Sequence, residues 1–100
     1  MKYYEDIRQF IGNTPLVKLN HMDFPKEVNV FAKLELWNPG GSVKDRMGEA
    51  LIRDAEERGI LKPGSTILEA TAGNAGIGIA LAALGKGYRV IFAVPENYTI

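Results

Sequence analysis

No cysteine occurs in this 100-residue chain, which excludes disulfides and thiolate metal sites. Histidine occurs once, as His21, so neither a zinc cluster nor a haem anchor can be built from imidazole and thiolate, and no metal is expected. Neither sign of charge is in excess: 12 Lys and Arg stand against 12 Asp and Glu. That balance supplies no basic field for nucleic acid or an anionic membrane. Long hydrophobic runs are missing as well. The longest, "IGIALAALG" (Ile77–Gly85), is far short of the roughly 20 residues that span a bilayer. The opening "MKYYEDIRQF" carries charge where a signal peptide has its apolar core. The expectation is a cytoplasmic protein with no nucleic-acid or membrane partner.

What is present is an ordered series of short elements. "PLVKL" (Pro15–Leu19) and "VNVFAKLEL" (Val28–Leu36) alternate as strands do, with Gly12, Asn13 and Pro15 marking a turn before the first. A helix is predicted from about Val43 to Arg58, with Gly59 as its C′ residue. "KPGS" (Lys62–Ser65) reads as a turn and "TILEA" (Thr66–Ala70) as a strand. A glycine-rich loop then enters a second helix, about Ala75–Leu84, and "YRVIFAVP" (Tyr88–Pro95) reads as a buried strand of the parallel kind. Strand, helix and strand in succession give a crossover unit and an α/β class.

Two stretches carry chemistry. In "NPGGSVKDR" (Asn38–Arg46), Ser42 is a natural N-cap, and Asp45 follows at capping-box spacing. Lys44 therefore falls in the first helical turn, where the positive end of the helix dipole disfavours a cation. At about 100° per residue, Val43, Met47, Ala50 and Leu51 form one stripe with Ala55 at its edge. Lys44 projects beside that stripe, and Asp45, Arg46, Glu49, Arg53 and Glu56 point away from it. Partial burial and the dipole would both lower the lysine pKa and favour the free amine, the form that attacks carbonyls. The competing reading is a lysine that buries its stem and keeps its head in water.

In "EATAGNAGIGIA" (Glu69–Ala80), Gly73, Gly76 and Gly78 would let backbone amides approach an anion at a helix N-terminus. The order G-x-x-G-x-G reverses the dinucleotide fingerprint, which disfavours a nucleotide-binding half-domain. A loop gripping a carboxylate, with Asn74 as an added polar group, is the alternative. Close helix–strand packing by small residues would explain Gly76, Gly78 and Ala80 but not Asn74.

Taken together, "IGNTPLVKL", "KLE" followed by "NPGGSVKDR", and "TAGNAGIGIA" resemble the cysteine synthase and cystathionine β-synthase family, in that family's order and spacing. The resemblance implies a pyridoxal 5′-phosphate (PLP) enzyme of fold-type II, tryptophan synthase β-like, with a three-layer αβα architecture and a parallel-rich sheet. It implies that residues 1–40 are strands of the larger domain and 41–100 the start of the smaller one. It assigns Lys44 the covalent bond to PLP and later the α-proton of the substrate, and Asn74 the 3′ oxygen of the PLP ring. Thr71, Ala72, Gly73, Asn74 and Ala75 would hold the substrate carboxylate. The implied reaction is β-replacement on O-acetylserine or serine, with homocysteine or sulfide as acceptor, in a homodimer. A non-catalytic fragment or family member that binds a partner protein is the alternative.

The chain departs from the family pattern in two ways. Where many members read T-S-G-N-T it reads T-A-G-N-A, so Ala72 and Ala75 offer no hydroxyl. The T-A-G-N form is similar to bacterial members acting in reverse transsulfuration. The family's phosphate loop and its pyridine-nitrogen partner would both lie beyond residue 100. Tyr3, Tyr4, Trp37 and Tyr98 are candidates for stacking on a cofactor, or for ordinary packing.

Overall fold

Pro15–Leu19 pairs as its alternation predicts. In the computed structural model, which describes residues 1–97, β1 (Leu16–Lys18) runs antiparallel to β2 (Phe31–Lys33) with Val17 opposite Ala32. Tyr98 lies outside the described residues. Bonds from Leu19 N–H to Val30 O (2.9 Å) and from Leu34 N–H to Pro15 O (3.0 Å) extend the ladder at both ends. The second strand stops sooner than expected, because Glu35–Trp37 is a 3-10 turn. Its cause is local competition for the backbone: Asn38 donates to Glu35 O from its N–H (3.2 Å) and from its side-chain amide (3.0 Å).

The first long helix, α1 (Lys44–Glu57), ends as read from the sequence. Gly59 sits at φ +73°, its N–H bonds to Glu56 O (3.1 Å), and Ile60 N–H bonds to Ala55 O (2.9 Å). This double closure requires a left-handed residue, which glycine supplies without strain. The start of the helix differs from the expectation. Ser42 Oγ accepts from Lys44 N–H at 3.1 Å, but Asp45 does not return to Ser42 and there is no capping box there. A capping box forms instead between Asp6 and Gln9, ahead of a 3-10 turn at Ile7–Phe10.

The face of α1 is also corrected. Asp45, Gly48 and Ile52 are the buried positions, while Val43, Ala50 and Leu51 are exposed. The cause is the partner helix, α2 (Asn74–Ala82). A methyl group at Gly48 would fall 2.6 Å from Ile79 N, and one at Gly78 would fall 2.7 Å from the carbonyl carbon of Lys44. The helices therefore meet backbone to backbone, and the glycine side of α1 turns inward whatever its hydropathy.

β3 (Thr66–Ala70) and β4 (Arg89–Ala93) are parallel neighbours with α2 between them in sequence, the predicted α/β unit. Ile67 and Val90 are opposite each other and pack with Leu61 and Tyr88 against the buried Ile52, Ile79, Ala82 and Ala83. On the other side, Leu68 and Ile91 pair in the open. The expectation of a buried β4 is thus met only in part: among the described residues it has one strand neighbour, and Ile91, Phe92 and Val94 remain exposed. The radius of gyration, 17.3 Å, exceeds the roughly 13 Å of a compact chain of this length.

Candidate active site

The loop between the 3-10 turn and α1 is held by side chains drawn from three segments. Asn38 is buried; its Oδ1 accepts from Gly12 N–H (2.7 Å), and its amide also donates to Ser42 O (3.0 Å). Arg46 reaches back across the loop. Its Nε donates to Glu35 Oε1 (2.5 Å), and its Nη2 donates to Glu35 Oε2 (3.1 Å), Thr14 Oγ1 (3.2 Å) and Gly12 O (3.1 Å). The Thr14 hydroxyl donates to Glu35 Oε2 at 2.5 Å. Sequence reasoning missed this bracket. Arg46 was expected to point away from the packed face, and no spacing rule joins Thr14, Glu35 and Arg46. Only the amide type of Asn38 beside a turn offered a local signal.

The bracket holds the Glu35 carboxyl down at about 2, first through Arg46, then through the Thr14 hydroxyl and Asn38. A folded-state pKa below the unfolded one adds stability that is full above the ordinary value of 4.5 and is lost as pH falls toward about 2. Glu35→Gln is therefore expected to lower the urea midpoint at neutral pH. The gap from wild type should close as pH falls through that window. A gap that stays constant with pH would show that the ion pair contributes nothing to stability.

Lys44 is the first residue of α1 and is exposed, so the predicted partial burial of its side chain is not found. It is its backbone that packs, lying against Gly78 of α2. Asn74 is four residues earlier on α2, about 6 Å along the helix axis. The lysine and the start of α2 are thus tied together through a close backbone contact between the two helices.

The Thr71–Ala75 loop is organised by Thr71. Its Oγ1 accepts from Gly76 N–H (3.1 Å) and Gly73 N–H (3.4 Å), and its own N–H bonds to Ala93 O (3.0 Å). Gly76 and Ile77 N–H also reach Gly73 O, at 3.1 and 3.4 Å. The N–H groups of Asn74 and Ala75 have no acceptor among the described residues. These are the helix-terminal donors that suit an anion. Asn74, Ala72 and Gly73 are exposed and Ala75 is half-buried.

A cleft of about 520 Å³ opens beside this loop, bordered by Gly40, Thr71, Ala72 and Gly73, with Ile77, Leu81 and Phe92 among its apolar walls. Lys44, Asn74 and Ala75 are not among the residues lining it. Of the aromatic candidates, Tyr4 packs on Phe10 with ring centres 5.4 Å apart, and Tyr3 and Trp37 are exposed away from the cleft. The exposed amine of Lys44, the amide of Asn74 and the free N–H pair at the start of α2 match the donor chemistry that an aldehyde- and oxyanion-bearing cofactor needs.

The family profile described as "Pyridoxal-phosphate dependent enzyme" matches residues 7–100. The chain belongs to this family. Its cofactor is pyridoxal phosphate, and the resemblance read from the three motifs holds across nearly the whole chain. The O-acetylserine dependent cystathionine beta-synthase of Bacillus subtilis is 56% identical over 99 residues, covering 99% of this chain and 32% of that protein. A cysteine synthase of Staphylococcus aureus is 50% identical over 96 residues, covering 96% of this chain and 31% of that protein. Among solved structures, cystathionine beta-synthase from Bacillus anthracis superposes with a TM-score of 0.82 at 53% identity, covering 100% of this chain and 38% of that one. The chain spans about a third of the length of the curated relatives it matches. These neighbours support the fold-type II class expected from the motifs.

Proposed function

We propose that this chain supplies the lysine and substrate-loop half of the active site in a PLP-dependent β-replacement enzyme. In this reading residues 1–40 belong to the larger domain and 41–100 begin the smaller one, within a three-layer αβα architecture. One observation carries the proposal: the backbone of Lys44 is packed onto α2 at Gly78, one turn from the helix start that bears the free amides and the exposed Asn74.

Lys44 Nζ would hold the cofactor covalently and, as a free amine, would take the proton from the substrate α-carbon. Bound PLP supplies the electron sink that makes that carbon acidic. The Asn74 side-chain amide would donate to the cofactor's ring oxygen. The N–H groups of Asn74 and Ala75, with the free hydrogen of the Thr71 hydroxyl, bind and orient the substrate carboxylate. The leaving group of an O-acetylserine-type donor would depart from the β-carbon with its bonding electron pair, a thiol or sulfide would add there, and the α-carbon would take its proton back from Lys44 Nζ. Ala72 and Ala75 withhold hydroxyl donors and widen the loop toward a larger acceptor, so homocysteine is the preferred one.

The test grafts residues 1–100 onto the remaining length of the Bacillus subtilis relative and measures kcat/KM with O-acetylserine and either homocysteine or sulfide. The graft is expected to be active and to favour homocysteine. Ala72→Ser with Ala75→Thr should tighten O-acetylserine and move the preference toward sulfide. Each restored hydroxyl is worth about 0.5–1.5 kcal/mol, roughly 2- to 12-fold. A folded graft with no β-replacement activity would overturn the proposal in favour of a binding role. An unmoved acceptor ratio would show that the alanines do not select the acceptor.

A further inference from the structure

Buried polar groups cost stability unless they are satisfied, so their placement shows where a fold gives up stability for geometry. Among the described residues the buried polar side chains are Thr14, Asn38 and Asp45. All of them attend one short loop. Asn38 fastens its entrance and exit, through Glu35 O and Ser42 O. Thr14 braces the Glu35–Arg46 pair beneath it. Asp45 takes the middle: it is the one fully buried large side chain, and its Oδ2 accepts from Gly40 N–H at 2.5 Å. Its Oδ1 is buried without a hydrogen-bond partner.

That unpartnered oxygen lies under the Gly40 backbone. A methyl group at Gly40 would overlap it and would stand 2.8 Å from Asp45 Cγ. The carboxylate therefore grips Gly40 by its N–H and by contact with its α-carbon, and only glycine fits above it. Gly40 borders the cleft, and the chain passes from it through Gly41, Ser42 and Val43 directly into Lys44. The grip also sits in the first turn of α1, where a negative charge suits the helix dipole. For core stability alone, an uncharged residue would serve better at a fully buried site.

We infer that Asp45 is a positioning residue: its buried carboxylate clamps Gly40 and so sets the loop that forms the rim of the cleft and delivers Lys44. This rests on the proposed role of Lys44. The clamp acts on geometry and touches neither substrate nor cofactor.

The experiment uses the graft described above, loaded with PLP, with Asp45→Ala, Asp45→Asn, Gly40→Ala and the Asp45→Ala/Gly40→Ala pair. Three quantities are read: amide hydrogen exchange at Gly40, the fraction of Lys44 carrying a pyridoxyl group after borohydride reduction, followed over the course of loading, and the urea midpoint. Asp45→Ala should speed exchange at Gly40 and lower the rate of Lys44 labelling by PLP by about 10- to 100-fold, since a misplacement of 1 Å can cost about 100-fold. The midpoint should fall by much less than labelling does, because the loss of Gly40's acceptor is offset by removal of an unpartnered buried oxygen. Asp45→Asn keeps an oxygen for Gly40 N–H and should restore labelling. Gly40→Ala should reproduce the defect from the other side of the clamp, and in the Asp45→Ala background it should add little.

The inference is overturned if Gly40 exchange is the same in wild type and Asp45→Ala. It is equally overturned if Gly40 loosens while Lys44 labelling is unmoved, or if labelling falls only in step with the urea midpoint. Where Asp45→Ala does not fold, the comparison of Gly40→Ala with Asp45→Asn decides in the same terms. A wild-type graft that leaves Lys44 unlabelled would instead overturn the proposed function, and Gly40 exchange would still judge the clamp.

Discussion

Lys44→Ala in the graft is expected to abolish covalent PLP attachment and β-replacement together, while leaving the fold intact. The side chain is exposed at the first position of α1, and the contact that α2 needs is made by the Lys44 backbone, which alanine retains. Alanine is also the better helix former. Stability should therefore hold or rise slightly as activity disappears. Loss of both the nucleophile and the base is loss of a covalent route, and reductions of several orders of magnitude are usual for such groups. The measurement is borohydride reduction followed by peptide mapping, set beside kcat and a urea melt. Pyridoxyl label at a different active-site lysine in the variant, or undiminished kcat, would remove Lys44 from the role assigned to it.

Gly78→Ala should do the opposite, destabilising the fold first and disturbing the site as a consequence. In an ordinary helix interior this substitution stabilises by about 1 kcal/mol. Here the new methyl group would overlap the carbonyl oxygen of Lys44 and stand 2.7 Å from its carbonyl carbon. Backbone cannot rotate away as a side-chain tip can, so α1 and α2 must separate. Overpacking of this kind costs about 1–3 kcal/mol, occasionally more. The sign of the effect is the diagnostic. Ala50→Gly, at an exposed position in the same helix pair, serves as the control and should show only the usual propensity loss. A urea midpoint for Gly78→Ala at or above wild type would mean that the helices do not meet this closely. The same variant should also lower Lys44 labelling, because the contact it breaks carries the lysine to the loop at the start of α2.

Much of the fold is written locally and could be read without coordinates. β3 spans Thr66–Ala70 as its pattern and flanking turn indicate, α1 closes at Gly59, and Lys44 opens that helix. Turn chemistry, left-handed glycine and apolar alternation act within a few residues, so the sequence by itself determined the strands and long helices and their order, though not the 3-10 turns at Ile7–Phe10 and Glu35–Trp37. It also placed an amine and a glycine-rich loop at two successive helix starts.

The tertiary structure decided which way those elements face. The apolar wheel of α1 pointed to Val43, Ala50 and Leu51, but the helix turns Asp45, Gly48 and Ile52 inward. Hydropathy ranks side chains, whereas this interface is set by how closely two backbones can approach, and glycine makes that approach without registering as apolar. The partners of Glu35, Thr14 and Asn38 were unreadable for a related reason. The bonds of Gly12 to Asn38, and of Arg46 to Glu35 and Thr14, join positions 11 to 32 residues apart, and no periodic rule connects such positions until the chain has folded. Asp45 is the sharpest case. Its place on the helical wheel predicted a residue pointing away from the packed face, and only the descent of Gly40 onto α1 made a carboxylate the most buried side chain among the described residues.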